Sequence, residues 1–253
     1  MMTNFQEVPL ISISIVSHNQ GNILVKVIED LVRLCSGTRI EVFLTKNIPE
    51  PLPFDTAALP FPVMVIENHG PKGFGANHNA AFDCARAEWF CVMNPDIRLL
   101  SNPFPALLDE AARRAAAVVA PAVLNSAMQV DDSIRRFPTP LALAGRLLGR
   151  GDGRYQFVVN DESFSADWVA GMFMLFRADD YRVVGGFDES FFLYCEDVDI
   201  CARLWKAGRT VLACPKVQVE HDARRTSRKN VRYMTWHLAS MARYFLKRWG
   251  GSY

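Results

Sequence analysis

Residues 10–17 read LISISIVS, and residues 18–21, HNQG, follow them directly. The first stretch is rich in β-branched residues, which predicts a buried strand, and the second has the composition of a turn. Beyond the turn, apolar residues recur at helical spacing from Ile23 to Leu34. The chain is therefore expected to begin with a strand, a turn and a helix, which is the repeating unit of α/β folds.

The same alternation continues through the first half of the chain. Strands are predicted over residues 39–45, 63–67, 89–93 and 118–124, and helices over residues 77–87 and 103–117. Residues 48–62 carry five prolines and are expected to form a loop. This pattern predicts an α/β fold with a mixed, mostly parallel central sheet flanked by helices. In such sheets, binding sites form beyond the carboxyl ends of the strands.

The second half of the chain continues with less regular spacing. We predict a short helix and a loop over residues 141–153, one apolar strand over 168–177, helices over 179–184 and 198–205, short strands over 210–213 and 217–220, and a last helix over 231–249.

The composition is that of a globular protein. The chain has 253 residues, of which half are apolar and 22% are charged, with a net charge of +1. Its apolar stretches are too short to span a bilayer, and so small a net charge does not favour nucleic acid as a partner. The first ten residues lack the basic start of a secretory signal, and the six cysteines are scattered without a CxxC pair. We therefore expect a cytoplasmic protein with reduced thiols.

Charge is unevenly distributed along the chain. No acidic residue follows Asp222, and residues 223–253 carry a net charge of +8, which leaves −7 for everything before them. One interpretation is a solvated helix face, or a basic surface that docks on the acidic body of the same chain. The other is attraction to phosphates or to an anionic membrane surface.

Asn94-Pro95-Asp96 directly follows the apolar strand WFCVM. A carboxylate at a strand end can present oxygen ligands to Mg²⁺ or Mn²⁺, which share their remaining positions with substrate phosphates and water. Asn-Pro-Asp is also a common turn sequence, so both interpretations stay open on the residues alone.

Acidic residues cluster between Phe187 and Asp199, beside aromatic residues and just before a predicted helix. These carboxylates fit a general base held at a helix start in a partly apolar pocket. They fit equally well the capping of that helix, together with an ordinary ion pair between Asp199 and Arg203.

Two further segments are candidates for binding phosphate. Residues 70–77, GPKGFGAN, combine glycines that let a ligand approach the backbone with Lys72 and the N-terminus of a helix. His221 follows a predicted strand just before the basic tail, where it is either a metal or diphosphate contact or an ordinary packed histidine.

Taken together and in order, these segments resemble family 2 glycosyltransferases with a GT-A fold. The resemblance is strongest to the rhamnosyltransferase-like members that act in bacterial polysaccharide assembly. It extends from about Ile11 to Gly250. The matching segments are SIVSHN, NHGPKGFGANHNAAF, VMNPDIRL, SIRRFPTP, residues 168–208 with GGFDE and FFLYCEDVD, and the final RYFLKRWG.

This resemblance implies an inverting sugar transfer with Asp197 as the catalytic base. It implies that Asp96 and His221 hold Mg²⁺ or Mn²⁺ and that Asn94 occupies the first acidic position of the metal-binding motif. It also assigns a set of residues to the nucleotide and donor sugar, namely His18, Asn19, Lys72, Gly73, Phe74 and Asn77. We expect Trp168, Gly171, Phe192 and Glu196 to contact the acceptor.

The resemblance also implies partners and a domain organisation. By resemblance, the donor would be a sugar, rhamnose, carried on dTDP or UDP, and the acceptor would be a saccharide or a lipid-linked saccharide at the inner membrane face. We expect a catalytic domain over residues 1–222, with a nucleotide-sugar half to about 125 and an acceptor half over 126–222, and a basic helical tail over 223–253 packed on it. The apolar residues of the tail would bury against the body or form a homodimer contact. The alternative is a non-catalytic protein that binds sugar nucleotides.

Overall fold

The computed structural model describes residues 8–147, 149, 153–222 and 231–251. The strands are β1 Ile11–Ser17, β2 Ile40–Lys46, β3 Val63–Glu67, β4 Trp89–Met93, β5 Ile97–Leu99, β6 Ala116–Leu124, β7 Ile134–Arg135, β8 Phe164–Ser165, β9 Trp168–Val169, β10 Phe173–Arg177 and β11 Thr210–His221. The α-helices are α1 Gly21–Leu34, α2 Phe74–Cys84, α3 Phe104–Arg114, α4 Pro140–Leu147, α5 Ala178–Val183, α6 Glu196–Lys206 and α7 Val231–Trp249, and a short 3₁₀ turn covers Thr56–Ala58.

The central sheet has the strand order β3-β2-β1-β4-β10-β6-β11-β5, and β8 pairs with β11. The first four strands are parallel to one another, as are β6 and β11. Strand β10 lies antiparallel between β4 and β6, and β5 lies antiparallel at the edge beside β11. The sheet therefore runs across the predicted boundary near residue 125, because β10 from the second half lies between two strands of the first.

Helices cover both faces of this sheet, which explains why its central strands are apolar at nearly every position. On one face, α1 and α3 pack against a core that includes Ile11, Ile13 and Ile15. On the other face, α2, α5 and α6 pack through Ala81, Tyr181 and Ile200. Polar strand residues such as Ser14 are buried as well, so side chains on both faces lie away from water.

The sequence predictions hold for the regular elements and are wrong for the short ones. The predicted strand over residues 168–177 is wrong, because β9 pairs with β7 in a separate two-stranded sheet and only β10 joins the main sheet. The two strands predicted over 210–213 and 217–220 are one strand, β11, with an irregular register after Cys214. Strands β5, β7 and β8 were not predicted, since two or three residues are too few to show a period.

Helix α7 packs on the body of the protein. Tyr244 and Ser240 are buried, and Ser240 Oγ donates a hydrogen bond of 2.8 Å to the carbonyl of Leu193. Lys247 pairs with Asp188 at 2.7 Å and with Asp199. The basic residues Arg224, Arg225, Arg228 and Lys229 lie outside the described residues. No helix in the described ranges is long and apolar enough to cross a membrane.

A buried carboxylate holds the edge strand β5 against α1. Asp30 lies on α1 and accepts hydrogen bonds from Arg98 Nε at 2.6 Å, Arg98 Nη2 at 3.0 Å and the backbone N–H of Leu99 at 3.0 Å. Burial raises the pKa of Asp30, but the hydrogen bonds from Arg98, Arg33 and Leu99 outweigh it and bring the pKa below its ordinary value. Because β5 starts one residue after Asp96, this contact also fixes the turn that carries Asp96.

We expect Asp30→Ala to lower the free energy of unfolding by about 3 kcal/mol, because it leaves Arg98 and a buried N–H without their acceptor. Urea denaturation measures the loss. The matched control is Asp179→Ala, which removes an exposed carboxylate paired with Arg182 and should change stability by at most about 0.5 kcal/mol. Equal losses for the two variants would contradict the anchoring role of Asp30.

Candidate active site

A cleft of about 590 Å³ opens at the carboxyl ends of β1, β2 and β4. His18 follows β1, Asn47 follows β2 and Asn94 follows β4, so the parallel strands deliver polar residues to one edge of the sheet. Ten of the site residues predicted from the sequence line this cleft, so it is the candidate active site. They are His18, Lys72, Phe74, Asn77, Asn94, Asp96, Gly171, Phe192, Glu196 and Asp197.

Four predicted residues lie elsewhere. Asn19 lines a neighbouring smaller cavity beside Glu50, and Trp168 lines a second large cleft. Gly73 lies behind the wall of the first cleft, against the backbone of Phe192. His221 is not in the lining, but its Nε2 is 3.2 Å from Asp96 Oδ2.

A network of asparagines holds the loop that carries Lys72. Asn47 Oδ1 accepts the backbone N–H of Lys72 at 2.8 Å, and Asn47 Nδ2 donates to the carbonyl of Lys72 at 3.0 Å. Asn68 Nδ2 donates to Asn47 Oδ1 at 3.0 Å and to Asn77 Oδ1 at 2.7 Å, and so connects the two side chains. These uncharged groups fix the loop without placing a negative charge next to it, which suits an anionic ligand.

Glu50 fixes the turn between β1 and α1. Its carboxylate accepts the backbone N–H of Asn19 at 3.0 Å and of Gly21 at 2.9 Å. Sequence reasoning did not single out Glu50, because it lies in a proline-rich loop with no periodic signal. Asn47 could have been found, since it follows a strand in the same way as Asn94.

His221 lies between two carboxylates. Its Nε2 is 3.2 Å from Asp96 Oδ2, and its Nδ1 is 3.3 Å from Asp131 Oδ2. Burial lowers the pKa of His221, but the hydrogen bonds and charges of Asp131 and Asp96 outweigh it and raise the pKa to about 9. The hydrogen bond with His221 in turn brings the pKa of Asp131 below its ordinary value. Asp131 lies in an irregular loop, and nothing in the sequence distinguished it.

The surroundings of Asp96 fit a divalent cation. Asp96 Oδ1 is buried and has no hydrogen-bond partner within the described part of the chain, an arrangement that is costly unless a ligand satisfies the atom. Asp96 would provide an oxygen ligand, and His221 would provide a nitrogen ligand once a bound cation displaced its proton; Mn²⁺ or Mg²⁺ would take its remaining ligands from phosphate and water. The described residues contain no preformed cluster of three or more His, Cys, Asp or Glu side chains for a metal.

Asp197 lies in the first turn of α6 and is held by two backbone donors. Its Oδ2 accepts the N–H of Gly171 at 3.1 Å, and its Oδ1 accepts the N–H of Val198 at 2.8 Å. Burial raises the pKa of Asp197, and these N–H groups oppose part of the rise. The carboxylate is therefore a stronger base than an ordinary aspartate, while its orientation is fixed.

Glu196, the residue before Asp197, is buried and borders the same space. Burial, followed by the charge of Asp197, raises the pKa of Glu196 well above its ordinary value. Its Oε2 finds no hydrogen-bond partner among the residues that the structure describes. The pKa values of both members of this adjacent pair are thus raised by burial, and only at Asp197 do hydrogen bonds from Gly171 and Val198 oppose the rise.

A second cleft of about 490 Å³ lies on the other side of Asp197. Tyr194, Glu196 and Asp197 line both clefts, so the carboxylate stands between them. The walls of the second cleft are mainly apolar and aromatic, with two arginines: Arg136 lies over the ring of Tyr155 at 4.5 Å and Arg135 over that of Trp168 at 5.7 Å. A molecule in each cleft would meet the other at Asp197.

Comparison with known proteins identifies relatives of this arrangement. A family model described as glycosyl transferase family 2 matches residues 12–146. The rhamnosyltransferase WbbL of Escherichia coli K12 is 30% identical over 193 residues, which are 71% of this chain and 72% of that protein. An N-acetylglucosaminyl-diphospho-decaprenol L-rhamnosyltransferase of Mycobacterium tuberculosis is 30% identical over 174 residues, 65% of this chain and 57% of that protein.

The fold also has relatives among solved structures. The crystal structure of GalNAc-T7 with UDP, GalNAc and Mn²⁺ superimposes with a TM-score of 0.64 at 15% identity, covering 86% of this chain and 44% of that one. At this identity the likeness concerns the fold alone, and it confirms the predicted α/β fold of GT-A type. The chain spans less than two thirds of that structure and of the mycobacterial protein.

At Gly73 there is no room for a side chain between the start of α2 and Phe192. A Cβ at Gly73 would lie 2.7 Å from the carbonyl oxygen of Phe192 and 3.0 Å from its Cα, and the N–H of Phe74 donates to the same carbonyl at 2.9 Å. These neighbours are backbone atoms, so relief requires the Phe192 segment to move. Gly73 therefore allows the start of α2 to pack directly against the backbone of Phe192, which lines the first cleft.

We expect Gly73→Ala to lower the free energy of unfolding by about 1–3 kcal/mol, the usual range for overpacking. The control is Gly70→Ala in the same loop, where an added Cβ meets nothing within 4 Å. Both substitutions lower the conformational entropy of the unfolded chain to the same extent. The difference between their free energies of unfolding, measured by urea denaturation, therefore reports the contact with Phe192. Indistinguishable stabilities would contradict this role of Gly73.

Proposed function

The chain belongs to glycosyl transferase family 2, and we propose that it moves rhamnose from a nucleoside-diphosphate donor to a saccharide acceptor with inversion at the sugar carbon. One observation carries the proposal: Asp197, an oriented carboxylate with a raised pKa, stands between two clefts, and Asp96 lies in the first of them. A single displacement needs this arrangement, since the acceptor must reach the sugar from the side opposite the leaving group.

The first cleft suits the donor. Lys72 lines it and carries a positive charge on a loop held by Asn47 and Asn77, which fits a diphosphate. His18, at the end of β1, is in position to contact the nucleotide base, and Asn47 Nδ2 donates to its Nδ1 at 3.4 Å. When bound by Asp96 and His221, Mg²⁺ or Mn²⁺ would supply positive charge to the leaving diphosphate.

The reaction that follows needs one base. An acceptor hydroxyl enters from the second cleft and forms a bond to the anomeric carbon, while its proton moves to the carboxylate of Asp197. The bond from the anomeric carbon to the diphosphate breaks, and its electron pair leaves with the nucleoside diphosphate. The N–H groups of Gly171 and Val198 keep the carboxylate turned toward the junction of the clefts. Glu196 Oε2, which has no hydrogen-bond partner within the described residues, lies beside it and is available to an acceptor hydroxyl.

The nature of the acceptor is proposed from the second cleft and from the relatives. Aromatic walls such as Trp168 suit the faces of a saccharide, and the arginines Arg135 and Arg136 suit phosphate. The mycobacterial relative is named for a saccharide carried on a polyprenyl diphosphate. We therefore propose a lipid-linked saccharide as acceptor and bacterial polysaccharide synthesis at the inner membrane face as the setting.

The experiment is a sugar-transfer assay combined with donor binding for wild type and Asp197→Asn. Thermal shift with dTDP-, UDP- and GDP-sugars, each with Mn²⁺ or EDTA, selects the donor, because a ligand that binds only the folded protein stabilises it. We expect one nucleotide to stabilise both proteins in the presence of Mn²⁺. Turnover of Asp197→Asn should fall by about 10²- to 10⁴-fold, the scale for losing a general base.

The control is Asp109→Asn, an exposed aspartate on α3, which should retain wild-type turnover. A correctly folded Asp197→Asn protein with wild-type turnover would overturn the assignment of the base. Stabilisation by a nucleotide sugar with no transfer to any saccharide acceptor would favour the alternative, a non-catalytic sugar-nucleotide-binding protein.

Asp131 provides a separate test of the metal site. Because it holds Nδ1 of His221, it directs Nε2 toward Asp96, and losing such a partner usually weakens metal affinity 10- to 100-fold. We expect Asp131→Asn to weaken Mn²⁺ binding by about 10-fold or more, measured from the free-ion signal in electron paramagnetic resonance with the selected nucleotide present. Asp132→Asn, whose carboxylate pairs with Arg135 and Arg154 instead, is the control. Equal Mn²⁺ affinity in the two variants would remove Asp131 from the site.

A further inference from the structure

Helix α7 presents an apolar stripe to the outside of the molecule. Met234, Leu238, Leu246 and Trp249 are 61%, 65%, 69% and 69% exposed. Positions at spacings of three, four and seven residues share one face of a helix. The exposed residues of this face are all uncharged, and together we call them the outer stripe: Met234, Leu238, Ala239, Ala242, Leu246 and Trp249. Of the tail's apolar residues, Tyr244 is buried against the body as expected, whereas Leu238 and Trp249 are not.

The orientation of the stripe is fixed by the opposite face of α7. Tyr244 is fully buried against Phe191, Cys195 and Val198, and Lys247 is held by Asp188 and Asp199. The helix cannot rotate its apolar stripe inward without breaking these contacts. The stripe therefore faces outward, and a contiguous exposed apolar face of this kind marks an interaction surface.

Cationic residues flank the stripe. The guanidinium of Arg243 donates to the carbonyl of Ser190, and that of Arg248 donates to the hydroxyl of Tyr244 at 3.3 Å. Both acceptors are neutral, so these bonds do not cancel the positive charge. The stretch 223–253 carries +8 with no acidic residue. An apolar stripe between cations is the pattern of helices that lie in the interface of an anionic bilayer.

The stripe lies next to the second cleft. His237 and Met241 of α7 form one side of that cleft, and Thr139 with Ala142, at the start of α4, form another. Leu141, between them, is 84% exposed. Apolar surface from two helices therefore borders the entrance through which an acceptor would pass.

We propose that the outer stripe of α7 lies in the headgroup region of an anionic bilayer, so that the second cleft opens at the membrane surface. This proposal rests on the proposed function in one respect: a cleft that opens at the membrane surface gives access to an acceptor only if that acceptor is lipid-linked. A second copy of the chain fits the stripe less well, because pairing two α7 helices would bring two tails of +8 together. An anionic bilayer, in contrast, carries a charge opposite to that of the tail.

The test is co-sedimentation with vesicles of phosphatidylcholine, with or without about one third phosphatidylglycerol. We expect the wild type to bind the anionic vesicles, and binding to weaken at high salt because the cationic part is screened. Leu238→Glu and Leu246→Glu should each reduce the partition coefficient by about 10-fold or more, since each puts a charge into the apolar interface. The control is Val183→Glu on α5, which is 63% exposed on another surface and should leave binding unchanged.

The outcomes separate this proposal from the function. No binding of the wild type to anionic vesicles, or equal binding by Leu238→Glu, would overturn it, and so would a wild-type dimer that Leu238→Glu converts to monomer in light scattering. Retained stabilisation by the donor nucleotide shows that the variants are folded. Stripe-dependent vesicle binding without any sugar transfer would uphold the membrane surface and reject the proposed reaction.

Discussion

The hydrogen bond from the N–H of Gly171 to Asp197 Oδ2 joins the parts of the site. Gly171 lies in the short connection from β9 to β10, and its neighbour Met172 accepts the N–H of Asn94 at 2.9 Å. An added Cβ at Gly171 would lie 2.9 Å from the ring of Phe74. One stretch of backbone thus touches the turn before Asp96, the loop before α2 and the carboxylate on α6. Its position is set in turn by β10, which is paired on both sides at the centre of the sheet.

Burial acts on several titratable groups of the site. His78 lines the first cleft and lies 2.8 Å from Ser14 Oγ, and burial lowers its pKa to about 3, so its ring is neutral at physiological pH. Burial raises the pKa values of Glu196 and Asp197, but Asp197 also receives two N–H donors that favour its charged form. Asp197 is therefore the carboxylate at the junction of the clefts whose orientation the backbone fixes.

The sequence predicted what depends on local pattern. The strands β1, β3 and β4 follow from runs of apolar residues. The local pattern also marks Asp96 at a strand end and the acidic cluster before α6, but only the resemblance to family 2 glycosyltransferases assigned Asp96 and Asp197 their roles. The rest depends on contacts between distant segments. Asp131 contacts His221, which lies 90 residues away in the sequence, and Glu50 contacts Gly21, which lies 29 residues away. No sequence spacing predicts either pair. The boundary between β9 and β10 was missed because residues 168–176, WVAGMFMLF, form one apolar run, and only the pairing partners decide where such a run divides between two sheets.

The same long-range contacts connect the outer surface to the chemistry. Lys247 on α7 pairs with Asp199, two residues beyond Asp197 in the first turn of α6, and Tyr244 packs on Val198 between them. The helix that carries the outer stripe is thus bound directly to the turn that carries the carboxylate. Helix α7 also lines both clefts, the first through Tyr233 and Trp236 and the second through His237 and Met241. A surface fixed by α7 would therefore fix the distance of Asp197 from it. A donor in the first cleft and an acceptor in the second would then meet beside Asp197, where the acceptor hydroxyl can attack the anomeric carbon from the side opposite the leaving diphosphate.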